Sequence, residues 1–228
     1  MPKDFVYVRD IDPSIQQDMR YAGSDNFTGK PVPGYDAPEC MLVREAAEAL
    51  KAAQAELKPM GLSLTVYDCY RPTRAVAAFV DWAKEPDNAQ AKLVHYPDLL
   101  KSALFPEYIA TQSGHSRGAT LDVTIVPLGS SPDADDSQSE VACTQAEPSD
   151  NSLDMGTGFD YFDPKANTDA PGLTPEQEHN RKLLLDVMTR HGFKNYPKET
   201  WHYTFEPEPY PNTYFDFPIE PRPNGDKG

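Results

Sequence analysis

"SGHSRGATLDVTIV", residues 113–126, is the stretch on which the reading of this chain turns. Its second half alternates, so that in an extended strand Leu121, Val123 and Ile125 share one face while Asp122 and Thr124 share the other. Asp122 therefore leaves the apolar side. The first half is a loop of Ser, Gly and Arg around His115, seven residues before that aspartate. A distant fragment, "ETWH" at 199–202, brings a second carboxylate and another of the chain's five histidines.

Working outward, "FVYV" near the start reads as a short strand. Residues 40–57 place Leu42, Val43, Ala46, Ala49, Leu50, Ala53 and Leu57 at helical spacing, with Arg44, Glu45, Glu48 and Lys51 mostly opposite, which predicts a helix. "GLSLTVYDCY" at 61–70 follows as a strand, and 71–84 restarts a helix with Pro72 tolerated in its first turn. Residues 88–110 hold one or two short helices interrupted by Pro97 and Pro106. Residues 127–154, rich in Ser, Asp and Pro, read as a solvated loop insertion. "TPEQ" at 174–177 is a capping box, with Thr174 as N-cap, Pro175 at N1 and Gln177 at N3, opening a helix that ends near Gly192. "WHYTFE" is a strand, and the Pro-rich aromatic tail packs in extended form before fraying. No repeat and no linker divides the chain. Residues 1–228 are expected to form a single α+β domain, a small, mainly antiparallel sheet flanked by helices.

A domain of 228 residues buries roughly 70–75% of its extended-chain surface, enough for a core without staples. No apolar run approaches the ~18 residues of a membrane span. A net charge of −15, with no basic face, argues against nucleic acid as a partner. The start, "MPKDFVYVRD", lacks the marks of a secretory signal, so the expectation is a cytoplasmic protein, or a periplasmic one if a signal peptide has been removed. Cys40, Cys69 and Cys143 are too few and too scattered for a disulfide framework, and are expected to be buried free thiols. In an oxidising compartment one bridge is the alternative, most naturally through Cys143 in its loop.

A catalytic Zn²⁺ takes three protein ligands, commonly His and a carboxylate, and keeps a fourth position for water. His115, Asp122 and His202 supply such a set. Glu199 and His202, three apart, would point to opposite faces of a regular strand, so Glu199 must sit in the turn that Pro197 and Lys198 favour. There it can take a proton from metal-activated water and return it to a leaving amine. Arg71, between a strand and a helix, is placed to meet charge developing on an attacked carbonyl oxygen. Each residue has a plainer reading: partly exposed loop His115, core His202, solvated Glu199, strand-edge Asp122, surface ion-pair Arg71. The combination is what carries weight. His95, His179 and His191 have no partners at ligand spacing and read as surface or capping residues.

These residues resemble a known family, the VanX-type D-alanyl-D-alanine dipeptidases, zinc metallopeptidases related to the D,D-carboxypeptidases and the hedgehog domain. "SGHSRGATLD" matches S-x-H-x-x-G-x-x-x-D and "ETWH" matches E-x-W-H. The likeness extends to "YAGSDNFTGKPVPGY" at 21–35, "YDCYRP" at 67–72, "DMGTGFDYFD" at 154–163 and "PYPNTYFDFP" at 209–218, nearly the whole chain. The resemblance implies one Zn²⁺ on His115, Asp122 and His202, Glu199 as general base and acid, and Arg71 on the oxyanion. It also implies Asp160 as the carboxylate for the dipeptide's amino group, with Asp68 and Tyr21 nearby, and Ser113 and Tyr35 as partners for its terminal carboxylate. A site pairing both charged ends at fixed separation rejects longer peptides, since a third residue would leave buried charges unpaired. The loop at 127–154 is longer than the family's turn and bears on the pocket rim. The rival readings are a D,D- or L,D-carboxypeptidase of longer peptidoglycan stems and a non-catalytic zinc-containing peptidoglycan-binding module. Oligomeric state, a homodimer included, stays open.

Overall fold

The computed structural model describes residues 1–130 and 150–223. In chain order its elements are β1 (Phe5–Tyr7), α1 (Val8–Ile11), β2 (Gln16–Gln17), β3 (Met41–Val43), α2 (Arg44–Leu57), β4 (Leu62–Asp68), α3 (Thr73–Trp82), α4 (Ala89–His95), β5 (Thr120–Pro127), α5 (Pro175–Arg190), β6 (Phe193–Asn195) and β7 (His202–Phe205). The alternating run of 119–126 becomes β5, the middle of a five-stranded sheet of order β2-β4-β5-β7-β6. Only β2 runs parallel to its neighbour, so the sheet is mainly antiparallel, as the pattern predicts. Leu121, Val123 and Ile125 join Leu50 and Leu57 of α2 and Leu184 and Val187 of α5 in one apolar core. The capping box forms as predicted, Thr174 accepting from Gln177 and Gln177 returning a bond to Thr174. Two short helical pieces, α4 and a single turn at Lys101–Leu104, occupy the Pro-interrupted segment.

Two expectations are corrected. The helix predicted over 40–57 begins only at Arg44, because Met41–Val43 pair antiparallel with Phe5–Tyr7. All three are essentially fully buried. A run of three apolar residues satisfies either periodicity, and β-branched Val43 suits the strand. Second, Cys40 and Cys69 are not free thiols: they form a disulfide, and Cys143, favoured for any bridge, lies outside the described residues. The bond joins the residue just before β3 to the residue just after β4, both fully buried. It closes a loop with a sequence separation of 29, for which chain entropy predicts about 3–4 kcal/mol of stabilisation. The double substitution of Cys40 and Cys69 by serine should therefore lower unfolding free energy by about 3 kcal/mol, read from denaturant midpoints. Non-reducing peptide mapping should recover the two cysteines in one linked fragment, and separate alkylated fragments would refute the bridge.

The loop insertion expected at 127–154 falls largely outside the described residues. Its C-terminal end is anchored, with Leu153 donating to the Ile125 carbonyl at 2.8 Å and Asp150 accepting from Tyr67 and Arg20. Residues 208–219 form an extended strap. Phe215 donates to the Ser116 carbonyl at 2.9 Å and accepts from Thr73 at 3.0 Å, while Phe217 stacks on Tyr70 with ring centres 4.2 Å apart. Among the described residues no helix is long and apolar enough to cross a membrane.

Candidate active site

Antiparallel register brings the chemistry together. Residues directly opposite one another on neighbouring strands share a face, and Asp122 of β5 lies opposite Asp68 of β4 on one side and His202 of β7 on the other. A register shift between Val66 and Asp68 re-aims Asp68 into this row. His115 arrives from the turn Gly114–Arg117, which Ser113 caps by accepting from the His115 amide at 3.3 Å. Gly118 ends the turn at φ +83°, and a side chain there would stand 2.3 Å from the Phe5 ring, so this position needs glycine on both counts.

The three donor atoms form a small triangle. His115 Nε2 is 3.4 Å from Asp122 Oδ1, His202 Nδ1 is 3.2 Å from the same oxygen, and the two imidazole nitrogens are 3.3 Å apart. Ligands about 2.0–2.1 Å from a tetrahedral zinc stand about 3.3–3.4 Å from one another, so these edges match one face of such a tetrahedron. Asp122 Oδ1 is buried and makes no hydrogen bond despite the nearby imidazoles, which is how a ligand oxygen behaves. The His115 Nδ1 contacts the Cys69 carbonyl at 2.8 Å. A carbonyl only accepts, so the proton sits on Nδ1 and the Nε2 lone pair faces the triangle. Burial alone would raise the Asp122 carboxyl, but the electrostatic influence of the two imidazoles beside it, His115 and His202, outweighs this and holds it well below the usual range. The donor set fits a divalent metal ion.

Glu199 stands in a turn, as its separation from His202 requires. Its amide donates to the Tyr196 carbonyl and its carbonyl accepts from the His202 amide, while the Asn195 side chain holds the carbonyls of both Glu199 and His202. This fold-back puts Glu199 Oε2 3.3 Å from His202 Nδ1. Burial, reinforced by repulsion from Asp122, pushes the Glu199 carboxyl well above its ordinary range. A carboxyl held above its ordinary range takes up a proton more readily than a solvated one, as a general base must.

Arg71 is clamped by Asp68 Oδ2, at 2.9 Å from Nε and 2.7 Å from a terminal nitrogen, and its guanidinium lies over the rings of Tyr21 and Phe79. Burial opposes the charge, but the Asp68 carboxylate more than offsets this and keeps the group protonated. Asp68 in turn accepts from Tyr35 at 2.6 Å. Asp160 lies across the cavity, its Oδ2 accepting from the Tyr21 hydroxyl at 2.7 Å. Burial, and then repulsion from Asp122, raise its carboxyl well above the normal range.

These groups surround a cavity of about 270 Å³, at the low end for small-molecule sites. His115, Asp122, His202, Glu199, Arg71, Asp160, Tyr21 and Ser113 all line it. Tyr35 and Asp68 do not: they stand behind Arg71 and fix its orientation. The sequence reading missed the rim and the aromatic wall. Tyr108, Phe162 and Trp201 line the wall, and Glu107 links the rim to the Glu199 turn by bonds to Lys198 at 2.6 Å and from the Tyr196 hydroxyl at 3.1 Å. Of the histidines set aside, His191 caps α5 and contacts Glu56, and His179 is exposed, both as expected. His95 is different, with its ring against the Asp160 backbone.

A D-Ala-D-Ala dipeptidase family, peptidase M15, matches residues 1–220. A D-alanyl-D-alanine dipeptidase of Streptomyces coelicolor is 39% identical over 220 residues, 96% of this chain and 100% of the relative. One from Enterococcus faecium is 35% identical over 217 residues, 95% and 98% of the two chains. Among solved structures, VanYB in complex with D-alanine-D-alanine aligns over 75% of each chain at 15% identity, with a TM-score of 0.37. With a match from the first residue to the strap and relatives aligned over nearly their whole lengths, the chain belongs to the D-Ala-D-Ala dipeptidase family of peptidase M15.

Proposed function

We propose that this protein hydrolyses the dipeptide D-Ala-D-Ala with one zinc ion held by His115, Asp122 and His202. The donor triangle with Glu199 at its edge carries the reading: three ligand atoms 3.2–3.4 Å apart, and a carboxylate 3.3 Å from one of them. Zinc bound there supplies Lewis acidity, bringing the pKa of water from about 15.7 to about 7 and polarising the scissile carbonyl. Glu199 accepts the proton of the attacking water and passes it to the departing amine. Arg71, oriented by Asp68 and Tyr35, meets the negative charge that develops on the carbonyl oxygen. Asp160, held by Tyr21, pairs with the substrate ammonium, and the Ser113 hydroxyl is within the same cavity for the terminal carboxylate.

Charge balance supports this assignment. Among the described lining residues the only Lys or Arg is Arg71, against the buried carboxylates Asp122, Asp160 and Glu199. A divalent ion and an ammonium group are what such a site lacks. The family supports the D,D stereochemistry, and the small cavity volume supports a dipeptide over a longer stem. The Cys40–Cys69 bridge supports work in an oxidising compartment rather than the cytoplasm.

With one equivalent of zinc, the purified chain should release D-alanine from D-Ala-D-Ala but not from L-Ala-L-Ala or from a D-Ala-D-Ala-terminated pentapeptide. A chelator should abolish the release and added zinc restore it. Comparable cleavage of the pentapeptide would replace the reading with a carboxypeptidase, and binding of peptidoglycan fragments without any hydrolysis would replace it with a binding module.

A further inference from the structure

His95 stands 65 residues before Asp160 and outside the cavity lining, yet it brackets that residue's backbone. Its Nδ1 lies 3.1 Å from the Asp160 carbonyl oxygen, and its own carbonyl accepts from the Phe162 amide at 2.7 Å. Asp160 needs holding. At φ +56° it is one of two described non-glycine residues in the left-handed region, a conformation that costs free energy unless neighbours over-determine it. We propose that His95 is a positioning residue: its Nδ1–H bond fixes the Asp160 backbone and so aims the carboxylate that receives the substrate's amino group. This rests on the dipeptidase reading above.

Two observations support the assignment. First, no residue of α4 is fully buried, and the end of the helix that meets the rest of the fold is its C-terminal one, where His95 is half-buried and the following Tyr96 packs edge-on to Trp82. The Asn88 side chain caps its first turn, accepting from Gln90 and Ala91, and the helix delivers its last residue against the 160–162 segment. Second, the tautomer is determined. Burial lowers the His95 pKa, leaving the ring neutral, and the Asp160 carbonyl can only accept, so the single ring proton is on Nδ1. The carboxylate is thereby held from both ends, by Tyr21 through its Oδ2 and by His95 through its backbone.

The test compares His95→Phe, which keeps the ring but removes the donor, with His95→Asn, whose amide nitrogen falls near the Nδ1 position. H95F is expected to raise KM for D-Ala-D-Ala about tenfold, with a smaller change in kcat and unchanged zinc content. H95N is expected to recover most of the loss. In an Asp160→Ala background H95F should cost nothing further, because the carboxylate it aims is gone; a role in general stability would cost the same in both backgrounds. Wild-type kinetics in H95F, or an undiminished H95F penalty in D160A, would overturn the proposal while leaving the dipeptidase reading intact. Should H95F not fold, H95Q, which moves the donor away from the Nδ1 position, takes its place against H95N. A wild-type chain that cleaves no dipeptide would overturn both inferences.

Discussion

Glu199→Gln is expected to lower kcat on D-Ala-D-Ala by roughly 10²–10⁴-fold, the range of a lost general acid–base group, while the protein still binds one zinc per chain. The amide keeps the shape of the side chain but can neither take the proton from water nor return it to the leaving amine. Glu199 lies against the donor triangle without closing it, its Oε2 being 3.3 Å from His202 Nδ1, so its loss should spare the metal. Single-turnover kinetics with metal analysis would separate the two functions. A variant that retains most of its activity would remove Glu199 from the proton path, and one that loses zinc would make it a ligand.

The second large effect is expected at Asp160. In D160A a substrate ammonium would be buried facing Tyr21 without its counter-charge, and an uncompensated buried charge costs about 3–5 kcal/mol. That corresponds to a loss of roughly 10²–10³-fold in kcat/KM or more, carried mainly by KM because the partner is remote from the reacting carbonyl. An N-acetylated dipeptide, which has no ammonium to pair and would leave the Asp160 carboxylate unpaired in the wild type, should lose nothing in the variant. If D160A discriminated against both substrates alike, the carboxylate would be supporting the pocket and not reading the amino end.

Much of the candidate metal site's geometry was legible in the sequence because its determinants are local. The alternation around Asp122 assigns its face, and the antiparallel register then forces His202 opposite it. Pro197 and Lys198 signal the turn that lets Glu199 and His202 point the same way. The Thr174 capping box likewise needs only four residues to be read. What escaped depends on contacts with no local signature. The Cys40–Cys69 bridge was hidden because Cys40 continues a helical apolar pattern whose first three residues instead pair with β1. Tyr35 and Asp68 carry the family motifs, but only three-dimensional packing puts them behind Arg71 and out of the cavity. His95 reaches a backbone carbonyl, an acceptor that every residue offers and no pattern distinguishes.

The extended strap has a consequence for how the centre is assembled in the cell. The loop bearing His115 obtains three of its partners from the end of the chain: Phe215 on the Ser116 carbonyl, Glu208 on the Arg117 guanidinium, and His202 beside His115 itself. During translation those residues emerge from the ribosome long after the loop they complete. The His115 loop is consequently completed only once residues 202–215 have been made and have folded back onto it, so the donor triangle is a product of long-range pairing and not of local folding.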